Sequence, residues 1–219
     1  MTTIKQYDKT ISDYQEGETK TFLPNLGKIT IFGDYCFREC KALTLTNDDI
    51  TNATAIGSNT FYQCYSLTGN ISLPHLTSLG SYAFYSCTGI TSVDITGSTI
   101  NSIPDRVFYG CTSLTSFTGF SNITSIGGYA FYGCTLLTGV LNLPNLTGTL
   151  GEHSFGNTGI SSISSLGSVT EIGERAFENT NISSITIPNS VKKCRPNIVS
   201  NTIVPEIIFP EGVEEITGG

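Results

Sequence analysis

A phenylalanine that returns at nearly constant spacing constrains this chain more than any other feature. It stands at Phe37, Phe61, Phe84, Phe108, Phe131, Phe155 and Phe177, with Val199 in the eighth place, at intervals of 24, 23, 24, 23, 24, 22 and 22 residues. A unit that short cannot bury an apolar face alone, so each copy must be a rung covered by its neighbours. A small or β-branched residue precedes each ring: Cys36, Thr60, Ala83, Val107, Ala130, Ser154 and Ala176. Five and four places before it come an apolar residue and glycine, as in Phe32-Gly33, Ile56-Gly57, Leu79-Gly80, Ile126-Gly127, Leu150-Gly151 and Ile172-Gly173, with Ile103-Pro104 as the exception. Glycine or proline there reads as a corner where the backbone turns.

Three residues after the ring comes cysteine in five successive copies: Cys40, Cys64, Cys87, Cys111 and Cys134. Counted back from the next apolar strand residue, Asn157, Asn179 and Asn201 take that place afterwards, which puts a one-residue deletion between the ring and the ladder. A stacked thiol or amide satisfies turn backbone groups, so the ladder is expected to be structural and the thiols buried and free. Short alternating segments follow, among them LTGNISL (67–73), ITSVDI (90–95), LTGVLNL (137–143) and ISSITI (182–187), and are expected to be strands. Several end in proline, which cannot donate to a ladder.

The 219 residues are 38% hydrophobic and 13% charged, enough for one cored domain with a neutral polar surface. A net charge of −7 and the lack of any basic cluster argue against nucleic acid as a partner. No apolar run is long enough to span a membrane, so membrane insertion is not expected. MTTIKQYDKT carries no secretory signal, so the location is expected to be a cell surface or virion reached by another route, with the cytoplasm still open. No GxG pair, P-loop spacing or GxSxG occurs, and His75 and His153 lie too far apart for a triad or a zinc site. No catalytic residue, metal site or cofactor is expected, and the protein is read as not an enzyme. Asn47-Asp48-Asp49 reads as a solvated turn rather than a calcium loop.

Residues 1–22 stand apart as a cap or attachment segment, in which Ile4, Tyr7, Ile11 and Tyr14 have the spacing of a helical face. Tyrosine is more informative. Eight of the ten lie in the repeats, and seven hold two registered places: directly after the ring (Tyr62, Tyr85, Tyr109, Tyr132) and two before it (Tyr35, Tyr82, Tyr129). Rungs about 4.8 Å apart would align the first set into a continuous row, while Asn59 and Arg106 interrupt the second. Such a row is a candidate ligand-binding surface for protein or glycan, or a shield for the flank of the phenylalanine column.

The unit I-G-x-x-A-F-x-x-C-x-x-L-T, near-consensus in SLGSYAFYSCTGIT (78–91) and SIGGYAFYGCTLLT (125–138), resembles the BspA-like leucine-rich repeat family. The resemblance covers residues 23–217. It implies a β-rich, right-handed solenoid of about eight repeats, short strands alternating with brief helical or turn segments, over residues 23–219 and ending inside a ninth repeat. It also implies recognition or adhesion through protein or glycan contacts on another cell, as in surface proteins or phage host recognition. A structural role in a larger complex such as a phage particle is the alternative, with self-association through the uncapped C-terminal repeat.

Overall fold

The computed structural model of the chain describes residues 3–4, 26–41 and 44–216. The chain winds as a β-solenoid of about eight turns with little helix. Each phenylalanine of the repeat points into the coil and is at most 1% exposed. Successive rings stack at centroid distances of 5.6, 5.3, 5.5, 5.4, 5.1 and 5.9 Å from Phe37 to Phe177, all nearly coplanar. The residue before each ring is buried as well, because its side chain lies inside the same tight bend.

Backbone hydrogen bonding explains why the bend takes this form. Around Phe61, the amides of Asn59, Phe61 and Gln63 donate to the next rung, at Ser81 O, Ala83 O and Tyr85 O, while those of Tyr62 and Cys64 close turns within their own rung. The same alternation recurs from rung to rung, so buried amides are not left unpaired. Aiming every second N–H along the stack requires the left-handed region two residues before and two after the ring. Tyr35, Asn59, Tyr82, Arg106, Tyr129, His153, Arg175 and Asn197 occupy the first place, all with φ between 49° and 60°.

The glycines four residues before the ring have a different purpose from the one expected. Gly80, Gly151 and Gly173 are not in the left-handed region; instead a Cβ on them would sit 2.3–2.4 Å from backbone atoms of the preceding rung. Close approach of two backbones excludes a side chain there. Their amides also donate to the preceding strand, as Gly80 N–H does to Ile56 O and Gly127 N–H to Ile103 O. In the fourth rung Pro104 has no such proton to give to Leu79 O. The sheet of two-residue strands breaks at that point, into a four-stranded part ending at Ser78–Leu79 and a six-stranded part running from Ser102–Ile103 to Glu215–Ile216. The first strand of the four-stranded part is Thr3–Ile4, parallel to Ile31–Phe32, so Ile4 is extended rather than helical; Tyr7, Ile11 and Tyr14 lie outside the described residues.

Longer strands form the other face. Gly69–Ser72, Ile90–Asp94 and Ser116–Thr118 make one parallel sheet, and Thr138–Asn142 pairs with Gly159–Ser165 in another. Between the two, Phe117 packs on Phe120 at 4.6 Å and edge-on to Phe131 at 5.1 Å, and a cavity of about 100 Å³ opens against Leu137, Val140 and Leu141. The strand expected at 182–187 does not form. Ile182 and Ile187 still enter the core, but the one backbone bond to the preceding strand is Asn181 N–H to Ile160 O, next to a strand that already carries two register shifts.

Mid-column rings have partners on both sides. Phe108 touches Phe84, Phe131 and Phe117, whereas Phe177 stacks on Phe155 alone and is followed by the smaller Val199. Phe108→Ala is therefore expected to cost about 3–5 kcal/mol and to lower unfolding cooperativity in urea more than Phe177→Ala does. Equal losses for the two variants would contradict a column stabilised from both sides.

Candidate functional site

The residue after each buried phenylalanine faces outward, and the solenoid aligns these residues into a row. Tyr62, Tyr85, Tyr109 and Tyr132 stack at centroid distances of 4.6, 4.6 and 5.2 Å, with interplanar angles of 20° or less. The left-handed place two before the ring gives a second row beside it: Tyr82 lies 5.8 Å from Tyr85, and Tyr129 5.5 Å from Tyr132. Arg106 is inserted in this second row, 5.5 Å from the ring of Tyr82 and 4.5 Å from that of Tyr129, with its Nη1 donating to Tyr82 Oη at 3.0 Å. Arg38 closes the N-terminal end over Tyr62 at 5.1 Å and over the exposed Tyr35 at 5.8 Å.

His153 extends the second row, a placement not foreseen from the sequence although it stands two residues before Phe155. Its ring stacks on Tyr129 at 4.5 Å, and its Nδ1 lies 2.7 Å from Glu178 Oε1. Gly156 ends the first row. A Cβ there would come within 3.0 Å of the Tyr132 ring, so glycine lets that last ring lie flat. Partial burial pushes the phenols of Tyr85, Tyr129 and Tyr132 up, helped at Tyr85 by Tyr109 and at Tyr129 by Glu152, so these hydroxyls stay protonated and able to donate. The structure thus brings six of the seven candidate tyrosines into one continuous face, with Tyr35 at its end.

The other candidates resolve as structure. Cys64, Cys87, Cys111 and Cys134 are buried, and each thiol donates to the phenylalanine carbonyl of the preceding rung at 2.9–3.2 Å. The ladder does not pass to asparagine. Thr158, Thr180 and Thr202 take the place three after the ring and donate to the carbonyl of their own rung at 2.8–2.9 Å. Asn157, Asn179 and Asn201 are in the left-handed place two after the ring, where a short amide side chain is well tolerated. The deletion therefore falls after the ladder, not before it. The turn expected at Asn47-Asp48-Asp49 is a helical one, Asn47–Ile50, closed by the capping pair Thr46 and Asp49. Among the described residues no cluster of His, Cys, Asp or Glu could hold a metal, and no helix is long and apolar enough to cross a membrane.

The model of the BspA type leucine rich repeat region matches residues 30–141 and 137–219, in six copies. The chain belongs to that family. A leucine rich cell surface protein from Faecalibacterium prausnitzii A2-165 is similar to it, with a TM-score of 0.58 and 27% identity over 76% of this chain. The chain spans 43% of that protein's length. A leucine-rich repeat protein from Bacteroides ovatus ATCC 8483 matches at 17% identity and a TM-score of 0.33, over 86% of this chain and 72% of that one. No curated protein matches.

Burial raises the Cys111 thiol from 9.0 to about 12 and pushes Cys87 and Cys134 up as well. A thiol protonated in the fold but ionising when unfolded contributes stability that is fully present below 9.0 and is lost as pH rises toward about 12. Cys111→Thr, which copies the later rungs, is expected to flatten the alkaline fall in the unfolding free energy read from urea melts, by about 1.4 kcal/mol per pH unit above the thiol's ordinary value. An unchanged fall would place this thiol outside the alkaline transition.

Proposed function

We propose that this protein is a non-catalytic recognition module of the cell-surface type, binding a protein or glycan on another cell through the face of Tyr62, Tyr85, Tyr109 and Tyr132 with Tyr35, Tyr82 and Tyr129. The observation that carries this reading is the backbone under the second row. Tyr35, Tyr82 and Tyr129 hold φ of 60°, 59° and 56°, a region that costs a bulky residue about 1–2 kcal/mol. Asn59 and Asn197 hold the same place in sister rungs, so the fold does not need tyrosine there. Nor does it need tyrosine in the first row, where Gly156, Glu178 and Ser200 follow the later rings. Aromatic side chains placed repeatedly where folding does not require them, and in three rungs disfavours them, fit a binding surface. The likeness to a leucine rich cell surface protein supports the same reading.

Assembly into a larger complex, such as a phage particle, is the second reading. The exposed Ile203 and Ile208 favour it, as a surface for self-association. One variant separates the two. Replacing Tyr62, Tyr85, Tyr109 and Tyr132 together by Ser is expected to leave a folded solenoid that no longer binds cells or immobilised glycans and proteins which the parent binds. Retained binding would remove the tyrosine face from the function, and concentration-dependent sedimentation of parent and variant alike would then favour assembly.

A further inference from the structure

Building on that recognition reading, we infer that the face takes a β-linked glycan bearing a carboxylate, a uronate-containing chain laid along the solenoid axis, with its carboxylate on Arg106. Arg106 is the cation in the middle of the face, and Glu152 is an acid close enough to raise the Tyr129 phenol beside it without pairing with Arg106. Arg38 pairs with Glu39 at 3.2 Å and Arg175 with Glu174 at 3.3 Å, but Arg106 has no carboxylate within ion-pair distance among the described residues. The nearest acid in sequence, Asp105, has its Oδ1 occupied by the Gly128 amide at 2.7 Å, and Glu178 is taken by His153 and Arg175. Held between two rings and by Tyr82 Oη, the guanidinium is fixed in orientation and still carries donors for an incoming carboxylate.

Ring geometry decides how the rest of the ligand is met. The first-row tyrosines are stacked on one another, so their faces are occupied and cannot serve as platforms for flat sugar stacking. What remains is a line of ring edges and phenolic hydroxyls, one per rung, on rings whose centroids lie 4.6–5.2 Å apart. An extended peptide advances about 3.2–3.4 Å per residue, so its groups fall out of phase with this line within a rung or two. A pyranose in an extended β-linked chain advances by close to one rung, and each sugar presents hydroxyls to pair with one phenol. A dense polyanion is disfavoured, since the chain as a whole carries −7 and the face holds a single unpaired guanidinium. A glycan with a carboxylate on alternate sugars meets both conditions.

The test uses a hexasaccharide of alternating glucuronate and N-acetylglucosamine, its carboxyl-reduced counterpart, and hexaglutamate, titrated calorimetrically into the full chain and into Arg106→Asn. Asn59 holds the equivalent left-handed place, so the variant is expected to fold, and its urea midpoint checks this. The expected result is binding of the acidic hexasaccharide that weakens about tenfold or more on carboxyl reduction, in the variant, and with added salt. Equal binding of the reduced sugar, an unchanged affinity in a folded variant, or no binding of the hexasaccharide would each overturn the inference. Tighter binding of hexaglutamate would reassign the face to an acidic peptide. If the hexasaccharide does not bind while the fourfold tyrosine variant still loses the parent's cell binding, the ligand class is wrong and the recognition reading stands.

Discussion

Every larger feature of this protein depends on how one bend shares its amides. Around each buried phenylalanine, alternate N–H groups close turns within the rung or donate along the stack to the next. That division satisfies a backbone which is neither helix nor strand, and it locks successive bends in register at about the spacing of paired strands. Once the bends are in register, whatever the sequence places at a given distance from the ring becomes a column: phenyl rings inside, thiols beside them, tyrosines outside. The apolar column gives most of the stabilisation, but the hydrogen bonds decide which atoms meet.

The same bend explains where function has room to enter. Inside the coil, volume and close backbone approach leave little choice, which is why glycine recurs where rungs nearly touch and threonine replaces cysteine only by bonding the carbonyl of its own ring. Outside it, the places before and after the ring accept Asn, Arg, His, Gly, Glu and Ser in different rungs. The middle rungs depart from that tolerance by concentrating tyrosine and one inserted arginine there. A surface assembled from permissive places, against local backbone preference, is where a solenoid would carry specificity without endangering its core.

Much of this was legible in the sequence because the period is strict. The phenylalanine column, the buried thiols and the alignment of Tyr62 to Tyr132 all follow from spacing alone. What was misread depended on three-dimensional detail. Gly80 and its counterparts have the backbone conformation of any residue, so a corner and a close contact look alike in sequence. Counting from the strand makes Asn157 the successor of Cys134, whereas the bend itself keeps register from the ring and leads to Thr158. Pro104 stands out in the sequence as an exception, but its effect, a missing proton that splits a sheet, depends on the partner carbonyl of Leu79. His153 went unassigned because a lone histidine has no partner in sequence; Tyr129 and Glu178 lie 24 and 25 residues away.

The central claim is that the tyrosine face is carried by the fold and is not needed for it. The most direct measurement is the urea midpoint of a protein with Tyr35, Tyr82 and Tyr129 all replaced by Asn, the residue that sister rungs already use in that place. Relief of left-handed strain, about 1–2 kcal/mol per residue, should offset the lost ring contacts of about 0.5–1.5 kcal/mol per pair. The expected result is a midpoint unchanged or raised. A clear fall, with broadened unfolding, would contradict the claim and make these tyrosines part of what holds the rungs together.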